Sequence, residues 1–549
     1  MGERIYLQDW FYNAGIVGLL RILGGEVVKN GRLLSKAGAP IDGVRIGENF
    51  VEVEKELFKD FAHKYYAEAA KREIEISGID GLNLGEDESS LKRLRKSLDW
   101  VLKNLFPHLK EEIELPKVSK KNLEEVRKSL EKALLRVKEE KVNLLRGELP
   151  LSAVENLAKR WLRRGFFSSG GSNKLYEALE NLKQKVEVPL RASVGVLTLK
   201  REKLPCLLCQ ERYAKDGLSL SKAISDLVGF NKDNINLLHL EGRGLANKGL
   251  PICEVCQAVV SSLPLGVVRF DGVFLFVNNT YSVEELFNDN QRLKGLLSNS
   301  CPLFSFFAEK ILAKEKESAK VISLLGTSII EMELGALPKV KGLNLSYELA
   351  SLLSKTSFAE TLNKFSKAYY QVGSGNNKKS FNILVEFLED LIQGKRSYSY
   401  LYKLFRFFLT AERNRDLNVF YSPLQLHYLN LSLFKAKAYL EGGMDKISEK
   451  ELWSLFFGGQ ELRRVLISRN AENKINSLAF KLLNALKTGD SHRFMDILLR
   501  VYAGFSLKIP QTFVKSLEDR ESFKSAGYSF VAGLLNEKQE GGEKDGKEA

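Results

Sequence analysis

Apolar residues recur at intervals of three and four from Tyr6 to Leu23, which predicts a buried helix. Asp9 is placed to cap it and Gly24-Gly25 to end it. Gly15 and Gly18 within it imply close packing against another element rather than a ligand loop. Residues 26–55 alternate weakly and carry the turn signals Asn30-Gly31 and Asp42-Gly43, so short strands or a hairpin are expected. Residues 54–76 and 90–146 read as mostly helical. In the latter, Leu123, Val126, Leu130, Leu134 and Val137 form an apolar stripe opposite a solvated Glu/Lys face. Pro107 and Pro116 divide that run into separate helices. Residues 191–203 and 265–280 read as strands, notably Gly266 to Phe270 and Gly272 to Val277. After about residue 345 strand signals thin and helices dominate to 535, before a disordered polar tail over 536–549. The expected fold is α+β: a mixed α/β region over 1–345 that carries an inserted four-cysteine zinc finger, then an all-α helical bundle over 346–535.

The zinc finger is read from cysteine spacing. Four of the five cysteines form Cys206-x-x-Cys209 and Cys253-x-x-Cys256, with 43 residues between the pairs. Two intervening residues let both thiolates of a pair face one ion, and two such knuckles complete a tetrahedral site. Each has a Leu-Pro lead-in, Leu204-Pro205 and Leu250-Pro251. The long spacer predicts a subdomain inserted between them, the whole spanning about 200–262. Two separate pairs of buried thiols are the bland alternative; disulfides are disfavoured in a reducing compartment. A zinc deaminase needs H-x-E before P-C-x-x-C. His239-Leu240-Glu241 follows Pro205-Cys206 and would strand two thiolates in either pairing, so a closed structural zinc site is the better reading. Cys301, alone before Pro302, is expected to be a small core residue.

Composition narrows the class. Hydrophobic residues make up 44% and charged residues 28%, which excludes a mainly disordered or collagen-like chain. No stretch of 18 uncharged apolar residues and no signal-peptide pattern appears, so a cytoplasmic protein with no membrane partner is expected. Few Met, Cys and Gln (4, 5 and 11) beside abundant Lys and Glu resemble a thermophile's usage. Five histidines, at 63, 108, 239, 427 and 492, leave little material for histidine catalysis.

The net charge of +14 favours an acidic partner. Residues 361–440 hold 12 Lys+Arg against 5 Asp+Glu, half of that excess. Lys378, Lys379, Lys395, Arg396, Lys403, Arg406, Arg413 and Arg415 are interleaved there with Tyr398, Tyr400, Tyr402, Phe405 and Phe407. Cations among aromatics suit a groove tracking a single nucleic-acid strand, although at helical spacing Phe405 and its neighbours also fit a core face. The charges are therefore the stronger candidates. A second candidate is the small-residue loop Ser168 to Lys174, in which Ser172, Asn173 and Lys174 precede a helix start. It lacks the Walker spacing.

Three stretches together resemble the CXXC–CXXC large subunit of type I-B CRISPR Cascade complexes. They are Asp9-Trp10-x-Tyr12-Asn13-Ala14-Gly15-Ile16-Val17-Gly18, the two knuckles, and Leu263-Pro264-Leu265-Gly266 followed by Phe274 to Asn278. The resemblance covers roughly residues 1–280. It implies a non-catalytic, antiviral-defence subunit of an RNA-guided surveillance complex with structural zinc. Such a subunit touches the protospacer-adjacent motif, stabilises the displaced non-target strand and helps recruit the helicase–nuclease. Its partners would be crRNA, target DNA, the Cascade backbone and small subunits. Related systems make a small subunit from the 3′ part of the gene. Met444, preceded by Glu441-Gly442-Gly443 and thus by a purine-rich run of codons, is a candidate internal start for a 106-residue product, 444–549. The alternatives are a stand-alone zinc-containing enzyme acting on nucleic acid and an RNA-binding scaffold outside CRISPR.

Overall fold

The structure, a computed structural model, describes residues 2–119, 122–164, 166, 175–176, 179–180, 204–206, 208–214, 217–218, 250–297, 301–334, 339–374, 378–442 and 447–537. The chain forms two compact units. The first comprises residues 1–295 and 326–344, the second 296–325 and 345–549. Residues 296–325, expected in the first region, thus group with the second.

The first unit is built around α1 (Trp10–Ile22), in which every residue from Phe11 onward is buried. Its side chains are apolar or small except Asn13 and Arg21. Asp9 caps it, accepting from Tyr12 N at 2.9 Å. Strands β1 (Gly2–Tyr6), β2 (Val27–Lys29), β3 (Arg32–Leu34), β4 (Pro40–Ile46) and β5 (Phe50–Glu54) form an antiparallel sheet in the order β1-β5-β4-β3-β2. The residues expected as short strands thus form the sheet, joined by the N-terminal strand. Helices α2 (Phe61–Glu75), α3 (Glu88–Asn104), α4 (Leu123–Arg146) and α5 (Leu151–Leu162) follow. The α4 stripe points inward: Val126, Leu130 and Val137 are fully buried. Pro107 opens a short 3-10 turn, and Pro107 and Pro116 lie between α3 and α4 as expected.

Short ladders β6 (Leu204–Pro205) with β7 (Tyr213–Ala214) and β8 (Gly217–Leu218) with β9 (Leu250–Pro251) bring in the two knuckles. Then come α6 (Glu254–Ser261), α7 (Leu263–Gly266), β10 (Val268–Phe270), β11 (Val273–Asn279) and α8 (Val283–Gly295). The strand pair expected near 265–280 is present, and β12 (Thr327–Glu333) and β13 (Lys339–Asn344) extend it into a sheet ordered β10-β11-β12-β13. The strand expected at 191–203 and most of the spacer between the knuckles lie outside the described residues.

The second unit contains α9 (Pro302–Leu312), α10 (Glu317–Leu325), α11 (Tyr347–Ser354), α12 (Thr356–Asn363), α13 (Ile383–Ile392), α14 (Ser399–Thr410), α15 (Pro423–Leu440), α16 (Glu449–Ser468), α17 (Ile475–Thr488), α18 (Ser491–Gly504), α19 (Thr512–Ser516) and α20 (Arg520–Leu535). Helix α20 is the core element, buried from Ser522 to Leu535 except at Lys524. The expectation of an all-α bundle needs correction. Strands β14 (Tyr369–Val372), β15 (Lys379–Asn382) and β16 (Leu417–Phe420) form an antiparallel sheet, order β15-β14-β16. Each has four residues, too few for a period of two to stand out among long helical runs. Cys301, expected in the core, is half-buried at the N-cap of α9.

Glycines set how closely α1 meets its neighbours. A Cβ on Gly18 would stand 1.9 Å from Ser262 O, on Gly15 2.3 Å from Val259 O, and on Gly266 1.8 Å from Ala14 O. All three obstacles are backbone, which cannot rotate away. The Gly18→Ala variant is therefore expected to lower unfolding free energy by about 3 kcal/mol. Gly295→Ala, whose Cβ would enter open space, should change it by under about 1 kcal/mol. Denaturant titration of both variants checks the contrast.

Candidate metal centre and basic surface

The two knuckles come from unlike local structures. In the first, Cys206 N donates to Arg212 O at 2.7 Å, and Gln210 N donates to Cys206 O at 2.9 Å, closing a tight turn with Gln210 at φ +54°. In the second, Cys253 is the N-cap of α6 and its Sγ accepts from Cys256 N at 3.5 Å. The positive end of that helix therefore faces the sulfurs. Cys253 N also donates to Cys206 Sγ at 3.3 Å, stitching one knuckle to the other.

The four Sγ atoms lie within 4.8 Å of one another, with Cys209 and Cys253 at 3.8 Å. A tetrahedral ion with metal–sulfur bonds of about 2.3 Å needs sulfurs about 3.8 Å apart. The cluster therefore fits a bound metal such as zinc, and two separate pairs of buried thiols no longer describe it. Cys206, Cys253 and Cys256 are buried and Cys209 is half-buried. Among themselves the thiols share hydrogen bonds: those from Cys209, Cys253 and Cys256 pull the Cys206 pKa well down. Hydrogen bonds with Cys206 push Cys253 and Cys256 up. Cys209 is also lowered, to about 7, so proton sharing favours the thiolates of the first knuckle at the expense of the second, and a divalent cation would let all four ionise.

Two residues with no cysteine-like signal complete the surroundings. Tyr12 Oη lies 3.2 Å from Cys256 Sγ, and Arg212 Nη1 donates to Cys209 Sγ at 3.9 Å while its other nitrogens bind Glu3. Gln8 Nε2 donates to Leu208 O in the first knuckle at 3.1 Å. Asn13 Nδ2 donates to Asn278 Oδ1 of β11 at 2.9 Å. The motif residues Tyr12 and Asn13 therefore touch the second knuckle and the strand beyond it, and the residues just before the motif, Glu3 and Gln8, touch the first knuckle.

The basic candidates separate into two groups. Lys395 lies 4.0 Å from Asp390, Arg396 3.3 Å from Glu441 and Lys403 3.9 Å from Glu386. Lys403 Nζ also donates to Tyr370 Oη at 2.8 Å, and Arg406 lies over the Phe480 ring at 4.8 Å. Arg396, Lys403 and Arg406 are thus engaged within the unit, whereas Lys395 remains exposed. Lys378, Lys379, Arg413 and Arg415 are exposed and have no ion pair among the described residues. Of the interleaved rings, Tyr398 at the N-cap of α14 and Phe405 within it are buried and stack on Tyr528, while Tyr400, Tyr402 and Phe407 are half-buried. Ser172, Asn173 and Lys174 lie outside the described residues, as do His239 and Glu241. Of the other histidines, His108 Nε2 meets Glu140 Oε1 at 2.5 Å, a contact across 32 residues that the sequence did not signal. His427 is buried among Trp453 and Phe456, and burial pushes its pKa down to about 3.

No protein-family model, characterised protein or solved structure matches the chain. Among the described residues no helix is long and apolar enough to cross a membrane.

Cys206→Ser and Cys253→Ser, one per knuckle, should each abolish stoichiometric metal and destabilise the first unit by about 3 kcal/mol or more. Tyr12→Phe, which removes only the hydroxyl beside Cys256, should retain the metal at a cost of about 1 kcal/mol. Elemental analysis and thermal melts of the three proteins test this; unchanged metal in both serine variants would refute a shared site.

Proposed function

We propose that the chain is a non-catalytic, zinc-stabilised subunit of an RNA-guided complex, the large subunit of a type I-B Cascade. In this reading zinc is structural. All four ligand positions are thiolates and three of the four are buried, leaving no open coordination position for water or substrate. The partners are crRNA, target DNA, the backbone and small subunits, and the helicase–nuclease.

The observation that carries the proposal is the convergence of the three stretches behind the family resemblance. Tyr12 reaches Cys256, Asn13 reaches Asn278, and Gly18 and Gly266 let the α1 backbone touch the 262–266 segment. Stretches up to 265 residues apart form one contact network, so their joint occurrence has a single structural cause. In the second unit, the exposed cations Lys378, Lys379, Arg413 and Arg415 supply a surface for a displaced strand, whereas Arg396, Lys403 and Arg406 are engaged by neighbouring side chains and Lys395, though exposed, faces Asp390. A stand-alone enzyme is the weaker reading, since the thiolate cluster is closed.

The test is purification of the tagged chain from its intact operon, followed by sequencing of bound RNA. Repeat-derived guide RNA and stoichiometric backbone subunits are the expected result. A chain that purifies alone, or that turns over labelled DNA after repurification, would overturn the proposal.

An internal product starting at Met444 belongs to the same reading, and Met444 itself lies outside the described residues. Helices α16 and α20, both within 444–549, cross closely where Gly459 and Gly533 face backbone. Yet α20 also uses residues before 444: Asn430 Nδ2 donates to Ser525 O at 2.8 Å, and Tyr398 bonds Ser525. A separate 444–549 product would expose that notch and is expected to be found bound to the complex rather than free. Mass spectrometry of complexes from the intact gene checks this, and absence of the peptide beginning at residue 444 refutes it.

A further inference from the structure

The three-stranded sheet of the second unit has two unlike faces. Antiparallel register places Tyr370, Phe381 and Val419 side by side on one face. There Tyr370 and Phe381 stack at 5.2 Å, Phe407 of α14 meets Tyr370 edge-on, and Tyr370 Oη donates to Glu386. That face is the inner one. The opposite face carries two rows, Asn382-Tyr369-Phe420 and Ser380-Gln371-Asn418. Tyr369 and Phe420 stack with centroids 4.5 Å apart and planes 14° from parallel. Phe420 is 46% exposed. Gln371 and Asn418 make no side-chain hydrogen bond to the described residues.

Exposed cations lie at both ends of this sheet. Register opposes Val372 to Lys379 and to Leu417, so Lys378 and Lys379 enter β15 at the end where Arg413 and Arg415 precede β16. Gly373 N donates to Asp416 O at 2.8 Å and holds that loop to the hairpin. Lys364 and Lys367 precede β14 at the other end. All six cations are exposed and none has an ion pair among the described residues, against the nearby carboxylates Glu412 and Asp416.

We propose that this outer sheet face is a stacking platform for a single nucleic-acid strand. The Phe420 ring, backed by Tyr369, takes a base; Gln371 and Asn418 offer donors and acceptors to base edges; and the cations at the ends of the strands hold the phosphates. An exposed ring backed by a half-buried one, beside amides with no side-chain partner among the described residues, suits unstacked bases, which a duplex does not present. Strands lie about 4.8 Å apart, so the three-strand face is about 10 Å wide, room for two or three bases. The inference rests on the proposed nucleic-acid role and assigns it to rings that differ from those of the basic helix α14.

The full-length protein is titrated with fluorescent oligo(dT) and oligo(U) of 20 nucleotides, with an abasic 20-mer and with a 20-base-pair duplex. Phe420→Ala is expected to weaken oligo(dT) or oligo(U) binding about tenfold without changing its salt slope, and Phe420→Tyr to retain affinity. Replacing Lys378, Lys379, Arg413 and Arg415 with Ala should reduce the slope of log affinity against log salt by up to about 3. The abasic strand should bind wild type and Phe420→Ala alike. Tighter binding of one oligomer assigns the strand as DNA or RNA, and either result supports the platform. Equal affinity of the Phe420→Ala variant, of the abasic strand or of the duplex would overturn it, as would no binding of either oligomer. Because Phe420 is exposed, a melt matching wild type is expected for both substitutions at that position. Loss of the platform with guide RNA still co-purifying would leave the assembly reading intact. The converse result would leave a single-strand binder outside such a complex.

Discussion

Contact of the α1 backbone with the segment that leaves the second knuckle is the constraint on which the first unit depends. Helix α1 buries almost its whole surface, so its partners must approach from every side. On the side of residues 259–266 they approach to backbone contact, which only glycine at 15, 18 and 266 permits. The one guanidinium in the helix obeys the same geometry. Arg21 is buried with no ion pair among the described residues and donates to the carbonyls of Leu265 and Gly266 at 2.8 and 2.7 Å and to Asn290 O at 3.2 Å. Burial lowers its pKa to about 9, so it stays protonated at neutral pH while fixing the same turn that the glycines admit.

That constraint reaches the sulfurs. Ordering α1 against α6 fixes where Tyr12 meets Cys256 and where the α6 N-terminus points, and so positions two of the four thiolates. The first knuckle is held separately, by Gln8 to Leu208 and by the Glu3–Arg212 pair, both anchored at the N-terminus of the chain. The N-terminal segment is thus a common brace for two knuckles distant in sequence. A metal at the cluster and the α1 packing stabilise the same arrangement, because each brings residues near 206 and 253 to the same place.

How much of this was legible in the sequence follows from the range of each interaction. Helix α1, its Asp9 cap, the strands of 27–54 and the α4 stripe depend on periodicity and neighbouring residues, and all could be read. The four cysteines were legible because a two-residue spacing is itself the geometric requirement. Tyr12 beside Cys256 was not, since the partners are 244 residues apart and a tyrosine in an apolar helix looks like any other core ring. The sheet of residues 369–420 was missed for a related reason. Its middle strand pairs with one neighbour through a hairpin and with another 45 residues on, and four-residue strands carry almost no pattern of their own.

The basic stretch shows why composition alone misleads at a surface. Interleaved cations and rings over 395–407 read as one feature in the sequence, yet folding buries Tyr398 and Phe405, half-buries Tyr400, Tyr402 and Phe407, and sets Asp390, Glu441 and Glu386 against three of the cations. The exposed cations of residues 361–440 left without an ion pair among the described residues lie at the ends of a sheet. Unpaired surface cations are nevertheless weak evidence of a ligand, because two charges 10 Å apart in water repel by only about 0.4 kcal/mol. An exposed aromatic is different. A ring left in water forgoes roughly 25 cal/mol for each Å² of apolar area that burial would have removed. Phe420 remains nearly half exposed on a face where Tyr369 already covers its other side. Tyr347 and Phe457 of this unit are more exposed still, so it is the pairing of the ring with unpaired cations at the ends of the same sheet, and not either alone, that carries the proposed platform.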